Sequence, residues 1–192
     1  MFTGLIEETG VIRGVLTRGA NKIIEVSTSL ETARGDSLCV NGVCLTVIES
    51  REGTTKVGAT AETIKRTTLS VLHPASRINL ERALTLNKPL GGHLVQGHVD
   101  EVGKVSGVRK GTDAWRIGVT FSRKYADLVV DQGSVAVDGV SLTVLEKVPG
   151  PKLVVNVIPE TLKRTTLSEL RASDKVNLEF DLIAKYVREQ VR

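Results

Sequence analysis

The chain is written twice, and that duplication limits what these 192 residues can fold into more than any other feature. Ser37 to Glu49 reads SLCVNGVCLTVIE, and Ser134 to Glu146 reads SVAVDGVSLTVLE. AETIKRTTLS from Ala61 returns as PETLKRTTLS from Pro159, changed only at its first and fourth positions. Thr3-Gly4-Leu5-Ile6-Glu7-Glu8 aligns with Gln96-Gly97-His98-Val99-Asp100-Glu101, and RINLERAL at Arg77 aligns with KVNLEFDL at Lys175. Four pairs in one order, at offsets of 93 to 98 residues, describe a tandem duplication of one domain rather than a solenoid of short units.

Each unit reads as mostly strand. Val11, Arg13 and Val15 alternate, Ile23 to Ser27 is a β-branched run, and Asn41-Gly42 and Asp138-Gly139 are two-residue hairpin turns. The ET-x-x-RTT-L stretch of each copy carries helix-start signals, clearest at Pro159-Glu160-Thr161, and reads as a single short helix. A further short helix is expected at Arg123 to Val130. The fold class is therefore all-β, two tandem six-stranded Greek-key β-barrels with short helices, because closure removes exposed sheet edges. Pro89 and the pair Gly91-Gly92 mark the linker, which divides the chain into barrels at 1–90 and 91–181. In 182–192, Leu182, Ile183, Tyr186, Val187 and Val191 recur at helical spacing, so an unrepeated amphipathic helix closes the chain, as a lid or an oligomerisation device.

Composition narrows the function. Lys and Arg are scattered and the net charge is only +4, while aromatics are 3%, so neither an electrostatic stripe nor stacking platforms for nucleic acid can be read off. No apolar run reaches the roughly 20 residues of a membrane span. Glu7 and Glu8 without a basic leader lack a signal-peptide pattern, and a cytoplasmic location is expected. Cys39 and Cys44 are too few for a disulfide framework or a thiolate metal site, and flanking one hairpin they are expected as free thiols. Phosphate-binding glycine loops and HExxH or paired CxxC motifs are absent, so no metal or cofactor is expected.

Chemistry is expected beside the hairpins. Ser141 and Thr143 are two apart on one strand and point to one face, as Cys44 and Thr46 do in the first copy, so each pair can line a small pocket at one end of a barrel. That both simply bond neighbouring backbone is the plainer alternative. The copies differ where it matters: Leu5, Asn41 and Cys44 in the first are His98, Asp138 and Ser141 in the second. A histidine able to polarise Ser141 makes the second copy the candidate for acid–base or nucleophilic work. His93 and His73, next to Gly and Pro, read as turn residues.

The opening Met1-Phe2-Thr3-Gly4, the pair NGVCLTV and DGVSLTV, the twin ETxxRTTL segments and Gly91-Gly92-His93-Leu94-Val95-Gln96-Gly97-His98 resemble the riboflavin synthase family across essentially the whole chain. The resemblance implies two lumazine-binding barrels and dismutation of two 6,7-dimethyl-8-ribityllumazine molecules, by four-carbon transfer, to riboflavin and 5-amino-6-(D-ribitylamino)uracil. It implies no cofactor, a homotrimer joined through the C-terminal helices with sites between subunits, and association with lumazine synthase. The rival it leaves is a non-catalytic lumazine or flavin carrier, against which the second copy's intact Ser141, Thr143 and PETLKRTTL segment speak.

Carried over by motif, the first pocket comprises Thr3, Gly4, Leu5 and Ile6, then Cys44, Leu45 and Thr46, then Gly58, Ala59, Thr60, Ala61, Glu62 and Thr63. The second comprises Gly97, His98 and Val99, then Ser141, Leu142 and Thr143, then Asn156, Val157, Ile158, Pro159, Glu160 and Thr161. The resemblance implies a catalytic set of Ser141, His98, Cys44 and Thr143, with Ser141 hydrogen-bonded to His98 for proton transfer at one lumazine and Cys44 and Thr46 orienting the other, Phe2 packed against the bound ring, and Ser37, Asp138 and Asp181 giving polar contacts between facing sites. Gln132 stands where family members can carry a lysine, so the expected contact to the facing substrate there is a hydrogen bond from the Gln132 amide in place of a cation.

Overall fold

Apolar side chains alternate along the strands, as at Leu45 and Val47 between Cys44, Thr46 and Ile48, so each strand turns one face into a barrel and the other outward. A computed structural model describes residues 1–191, the Lys147 side chain apart; Arg192, the end of the expected terminal helix, lies outside the described residues. In the first half β1 (Glu8–Arg18), β2 (Asn21–Ser27), β3 (Ser37–Val40), β4 (Val43–Arg51), β5 (Thr54–Ala59) and β6 (Arg77–Arg82) close in the order β1-β2-β5-β4-β3-β6. In the second, β7 (Glu101–Arg109), β8 (Trp115–Thr120), β9 (Ser134–Val137), β10 (Val140–Val148), β11 (Lys152–Val157) and β12 (Lys175–Phe180) repeat that Greek-key order, β7-β8-β11-β10-β9-β12. All neighbours are antiparallel, and β-bulges fall at matching places, Val47/Glu49 and Val144/Glu146 among them. Both expected hairpin turns are present, with positive φ at Asn41, Gly42, Asp138 and Gly139.

The ETxxRTTL stretch is not the single helix its sequence suggests. α1 (Ala61–Arg66) and α2 (Pro159–Arg164) each stop at a threonine in extended conformation, Thr67 or Thr165, and a 3-10 turn follows. The Thr67 hydroxyl donates to the Thr63 carbonyl at 2.6 Å and accepts from the Leu69 amide, so the side chain replaces backbone bonds that a continuous helix would make. The segment from Arg123 is likewise 3-10, over Arg123–Leu128. α3 (Leu182–Gln190) is the expected C-terminal helix, capped by Asp181, whose carboxylate accepts from the Ile183 amide.

Each barrel has its own apolar core, yet the barrels exchange their N-terminal straps. Ile6, from the first half, is buried in the second barrel's core, and Val99, from the second half, packs on the first. The straps cross antiparallel at Phe2 and Val95, whose backbones bond each other in both directions at 2.7 and 3.1 Å. Around that crossing a pseudo-twofold seam is closed by buried polar groups. The Asn79 side chain donates to the Asp138 carbonyl and accepts from the Thr166 amide; Asn177 does the same with the Asn41 carbonyl and the Thr68 amide. Gly42 and Gly139 meet so closely that a Cβ on either would lie 2.7 Å from the other's amide nitrogen.

Asp138, expected to contact substrate, is instead buried in this seam, where its carboxyl accepts from the Asn177 amide at 2.8 Å. The expectation fails because the residue after a barrel's β9 faces the partner barrel, a placement no single-copy pattern encodes. Burial pushes its pKa up to about 7, against the Asn177 hydrogen bond and with help from Asp174. A carboxyl that keeps its proton to about pH 7 in the fold, and loses it near 4 when unfolded, binds more protons folded in between. Stability from this group is therefore complete below about pH 4 and falls as pH rises toward and through 7. Asp138→Asn, which installs the first copy's residue, should flatten that decline and raise stability at pH 8 by roughly 1–3 kcal/mol, measured by urea denaturation at pH 5 and 8. A loss of stability at pH 8 would contradict this account.

Candidate active site

Because Leu45 and Leu142 point into the barrels, Cys44 and Ser141 face outward beside their hairpins, and each meets the other half's strap. A pocket of about 320 Å³ lies between Val43, Cys44, Glu62, Thr63, Arg66 and Thr67 of the first barrel and Gly97, His98 and Val99 of the second strap. Its counterpart, about 250 Å³, lies between Val140, Ser141, Glu160, Thr161, Arg164 and Thr165 of the second barrel and Gly4, Leu5 and Ile6 of the first strap. The two linings correspond position by position and share no residue.

This pairing corrects the expected grouping. Gly4, Leu5 and Ile6 belong to the Ser141 pocket and Gly97, His98 and Val99 to the Cys44 pocket, the reverse of what position within each copy suggests. Main-chain bonds fix the exchange: the Cys44 amide donates to the Gly97 carbonyl at 2.9 Å and the Ser141 amide to the Gly4 carbonyl at 2.8 Å. Both glycines have positive φ, and a Cβ on either would lie 2.6 Å from the Cβ of the facing Cys44 or Ser141. Strap and hairpin can close to this distance only without side chains.

His98 accordingly lies with Cys44 and not with Ser141. The histidine that meets Ser141 is His93, read from sequence as a turn residue, with Nδ1 2.7 Å from the hydroxyl oxygen. Gly92 lets the linker pass so near, since a Cβ there would stand 2.9 Å from that of Ser141 and 2.0 Å from the Thr3 carbonyl oxygen. Burial lowers the His93 pKa, with the Asp181 charge opposing, so the ring is neutral at physiological pH. His93 could not be found by comparing copies, because at the offset that aligns Thr3 with Gln96 its counterpart falls before Met1.

The remaining expected residues divide by where their side chains go. Leu45, Ala59, Leu142 and Val157 are buried inside the barrels, and Phe2 and Thr3 are fully buried in and beside the seam, so Phe2 has no face open to a ring. Thr46 and Thr143 stand one outward position beyond Cys44 and Ser141, while Ser37 lines a separate depression with Glu7, Asp36, Arg82 and Lys88. Gly58, Thr60 and Ala61, with Asn156, Ile158 and Pro159, form the strand ends and helix starts that lead into the pocket residues Glu62 and Glu160. Thr60 caps α1 by accepting from the Thr63 amide. Gln132 sits in a tight turn at φ +61°, and Asp181 caps α3.

The sequence reading missed Arg66 and Arg164. Each lies four residues after the pocket glutamate on the same helix face and pairs with it, Arg164 Nε standing 2.5 Å from Glu160 and Arg66 bonding Glu62. The signal was available in the twin ET-x-x-R spacing. Each pocket thus offers a guanidinium, two threonines and backbone groups around residues that differ between the copies, Cys44 with His98 and Val99 or Ser141 with Leu5 and Ile6.

A model of the lumazine binding domain matches residues 3–83 and again 96–181. Twin barrels with twin pockets therefore define a tandem lumazine-binding-domain protein. The chain is 41% identical over 199 residues to riboflavin synthase of Mycobacterium tuberculosis (strain ATCC 25618 / H37Rv), covering 100% of this chain and 98% of that one. It is 37% identical to riboflavin synthase of Bacillus subtilis (strain 168), covering 97% and 88%. The chain belongs to the riboflavin synthase family. In fold it is also similar to LumP solved with 6,7-dimethyl-8-(1'-D-ribityl) lumazine, at TM-score 0.84 and 19% identity over 94% of this chain and 99% of that one. LumP solved with riboflavin superimposes at TM-score 0.86 with 20% identity and the same coverage.

The His93 assignment has a direct check. In long-range ¹H–¹⁵N spectra Ser141→Ala should shift the His93 ring nitrogens and leave those of His98 in place, and His93 should titrate below its ordinary range. A shift of His98 alone would restore the pairing expected from sequence.

Proposed function

We propose that the protein catalyses the riboflavin synthase reaction, transferring four carbons between two identical 6,7-dimethyl-8-ribityllumazine molecules to give riboflavin and 5-amino-6-(D-ribitylamino)uracil. The observation that carries this reading is the position-by-position match of the two pockets, which suits one heterocycle bound twice. Holding both molecules in similar, oriented sites converts a dilute encounter into an effectively unimolecular one. The two products together contain all the atoms of the two substrates, so the transfer balances without an external oxidant or reductant.

In this reading the unlike pairs divide the labour. Ser141, held by neutral His93, bonds and passes a proton at one lumazine, with Thr143 beside it; Cys44 and His98 face the other, with Thr46 beside them. Arg66 and Arg164 supply the cations that orient the polar edge of each ring, a role Gln132 does not fill. The pockets of one chain share no lining, which fits a facing pair formed between chains. α3 supports a homotrimer: Ala184 packs on the second barrel and Lys185 bonds Asp100 at 2.6 Å, while Ile183, Tyr186 and Val187 remain exposed. Free Cys39 and Cys44, opposite each other across β3 and β4, fit the reducing cytoplasm, where the protein serves riboflavin biosynthesis and associates with lumazine synthase. No helix among the described residues is long and apolar enough to cross a membrane.

Purified protein given the lumazine alone should form one riboflavin for every two lumazines consumed, read by absorbance. Ser141→Ala and Cys44→Ala should lower kcat about 10- to 100-fold with a smaller change in KM. A spectrum that stays that of bound lumazine would identify a carrier and overturn the reading. Deleting Leu182 to Arg192 should release monomers on sizing; an unchanged mass would exclude α3 as the joining element.

A further inference from the structure

Two buried carboxylates have no part in the chemistry above, yet both are committed to the straps. Glu81 on β6 is fully buried in the wall of the first barrel, and Glu179 on β12 occupies the same place in the second. A carboxylate buried in a barrel wall is costly unless every lone pair finds a donor. Glu81 accepts from the Thr3 amide at 2.8 Å, the Thr3 hydroxyl at 2.7 Å and the Gly4 amide at 2.9 Å. Glu179 accepts from the amides of Gln96, Gly97 and His98 at 2.6, 2.9 and 3.1 Å.

The straps do not serve the barrel that grips them. Gly4, held by Glu81 of the first barrel, receives the Ser141 amide and lines the second barrel's pocket. Gly97, held by Glu179 of the second barrel, receives the Cys44 amide and lines the first barrel's pocket. Each glycine is therefore bound on its N–H side by one barrel and on its C=O side by the other, so two hydrogen bonds through a single residue set a pocket wall. We propose that Glu81 and Glu179 are crossed positioning residues, each shaping the lumazine pocket of the barrel it does not belong to.

The seam does not need these carboxylates to hold the barrels together, since Asn79, Asn177 and the hairpin turns already join them. What the carboxylates add to the main-chain bonds is a second hold on the register of strap on hairpin, to which a closely fitted pocket is sensitive. Gln in place of Glu keeps the shape but turns an NH₂ group toward strap N–H donors, so at least one of three bonds is replaced by repulsion.

The proposal rests on the pockets being lumazine sites, and the test separates the two claims. Cys44 lines the first pocket whereas Cys39 is buried, so iodoacetamide labelling of the Cys44 peptide, followed by mass spectrometry at rising lumazine concentration, reports occupancy of that pocket alone. If lumazine does not protect Cys44 in the unaltered full chain, the pocket reading itself fails. Given protection, Glu179→Gln should raise the half-protecting concentration about tenfold, and Glu81→Gln should leave it within about twofold. In a Cys44→Ser, Ser141→Cys background the label reports the second pocket and the pattern should invert, with Glu81→Gln giving the loss. Thr3→Val, which leaves two of the three donors to Glu81 and otherwise removes only the long 3.3 Å bond from the Leu5 amide to the Thr3 hydroxyl, should give a smaller loss in that second pocket. Loss in the variant's own barrel, equal loss in both pockets, or no loss in either would overturn the crossed assignment. A general loosening of the fold gives the equal-loss pattern, so it cannot pass for the predicted one.

Discussion

Both pockets depend on the crossing of the two N-terminal straps at Phe2 and Val95, which makes each barrel incomplete without the other. Ile6 fills part of the second core, Val99 covers part of the first, and the buried Asn79 and Asn177 side chains find their partners across the seam. Because an unpartnered buried amide or carboxylate costs more than a typical net hydrogen bond returns, the seam has one satisfactory arrangement. That arrangement places a glycine-bearing strap over each outward-facing Cys44 or Ser141.

Pseudo-symmetry gives each half the same frame, and a few substitutions make the halves unequal. The first pocket combines a half-buried thiol with His98, two groups that can each exchange a proton. The second sets Ser141 against Leu5 and Ile6 and reaches its imidazole through His93, which comes from the linker and has no duplicate. Asn41 and Asp138 show the same divergence inside the seam, where one copy carries a neutral amide and the other a carboxyl pushed up to about 7 by burial. A two-substrate reaction that uses one molecule in two roles calls for such a pair of near copies.

Straps and carboxylates also explain why the pocket walls hold their register without secondary structure. Residues 3–6 and 96–99 lie outside the strands, but Glu81 satisfies the amides of Thr3 and Gly4, and Glu179 those of Gln96, Gly97 and His98, as a sheet ladder would. Burial pushes the Glu179 pKa up to about 7, with the strap amides and the Lys185 charge opposing it. Rigid walls built from satisfied loop backbone tolerate no Cβ at Gly4 or Gly97, which is why both copies keep glycine there.

The sequence by itself determined the duplication, the strands, both hairpins, the terminal helix and most residue types that line the pockets, because period and turn chemistry act over a few neighbouring residues. It also marked Cys44, Ser141 and His98 as pocket material, through repeated motifs that differ at chosen positions, while Glu62 and Glu160 came in only with the family resemblance. The tertiary structure alone decided which strap meets which hairpin, and hence that His98 stands by Cys44, that His93 reaches Ser141, and that Phe2 and Asp138 vanish into the seam. Two equivalent halves make an exchanged and an unexchanged strap identical in local pattern. Only the packing of Ile6 and Val99 into the opposite cores, and the donors that Glu81 and Glu179 require, distinguish them.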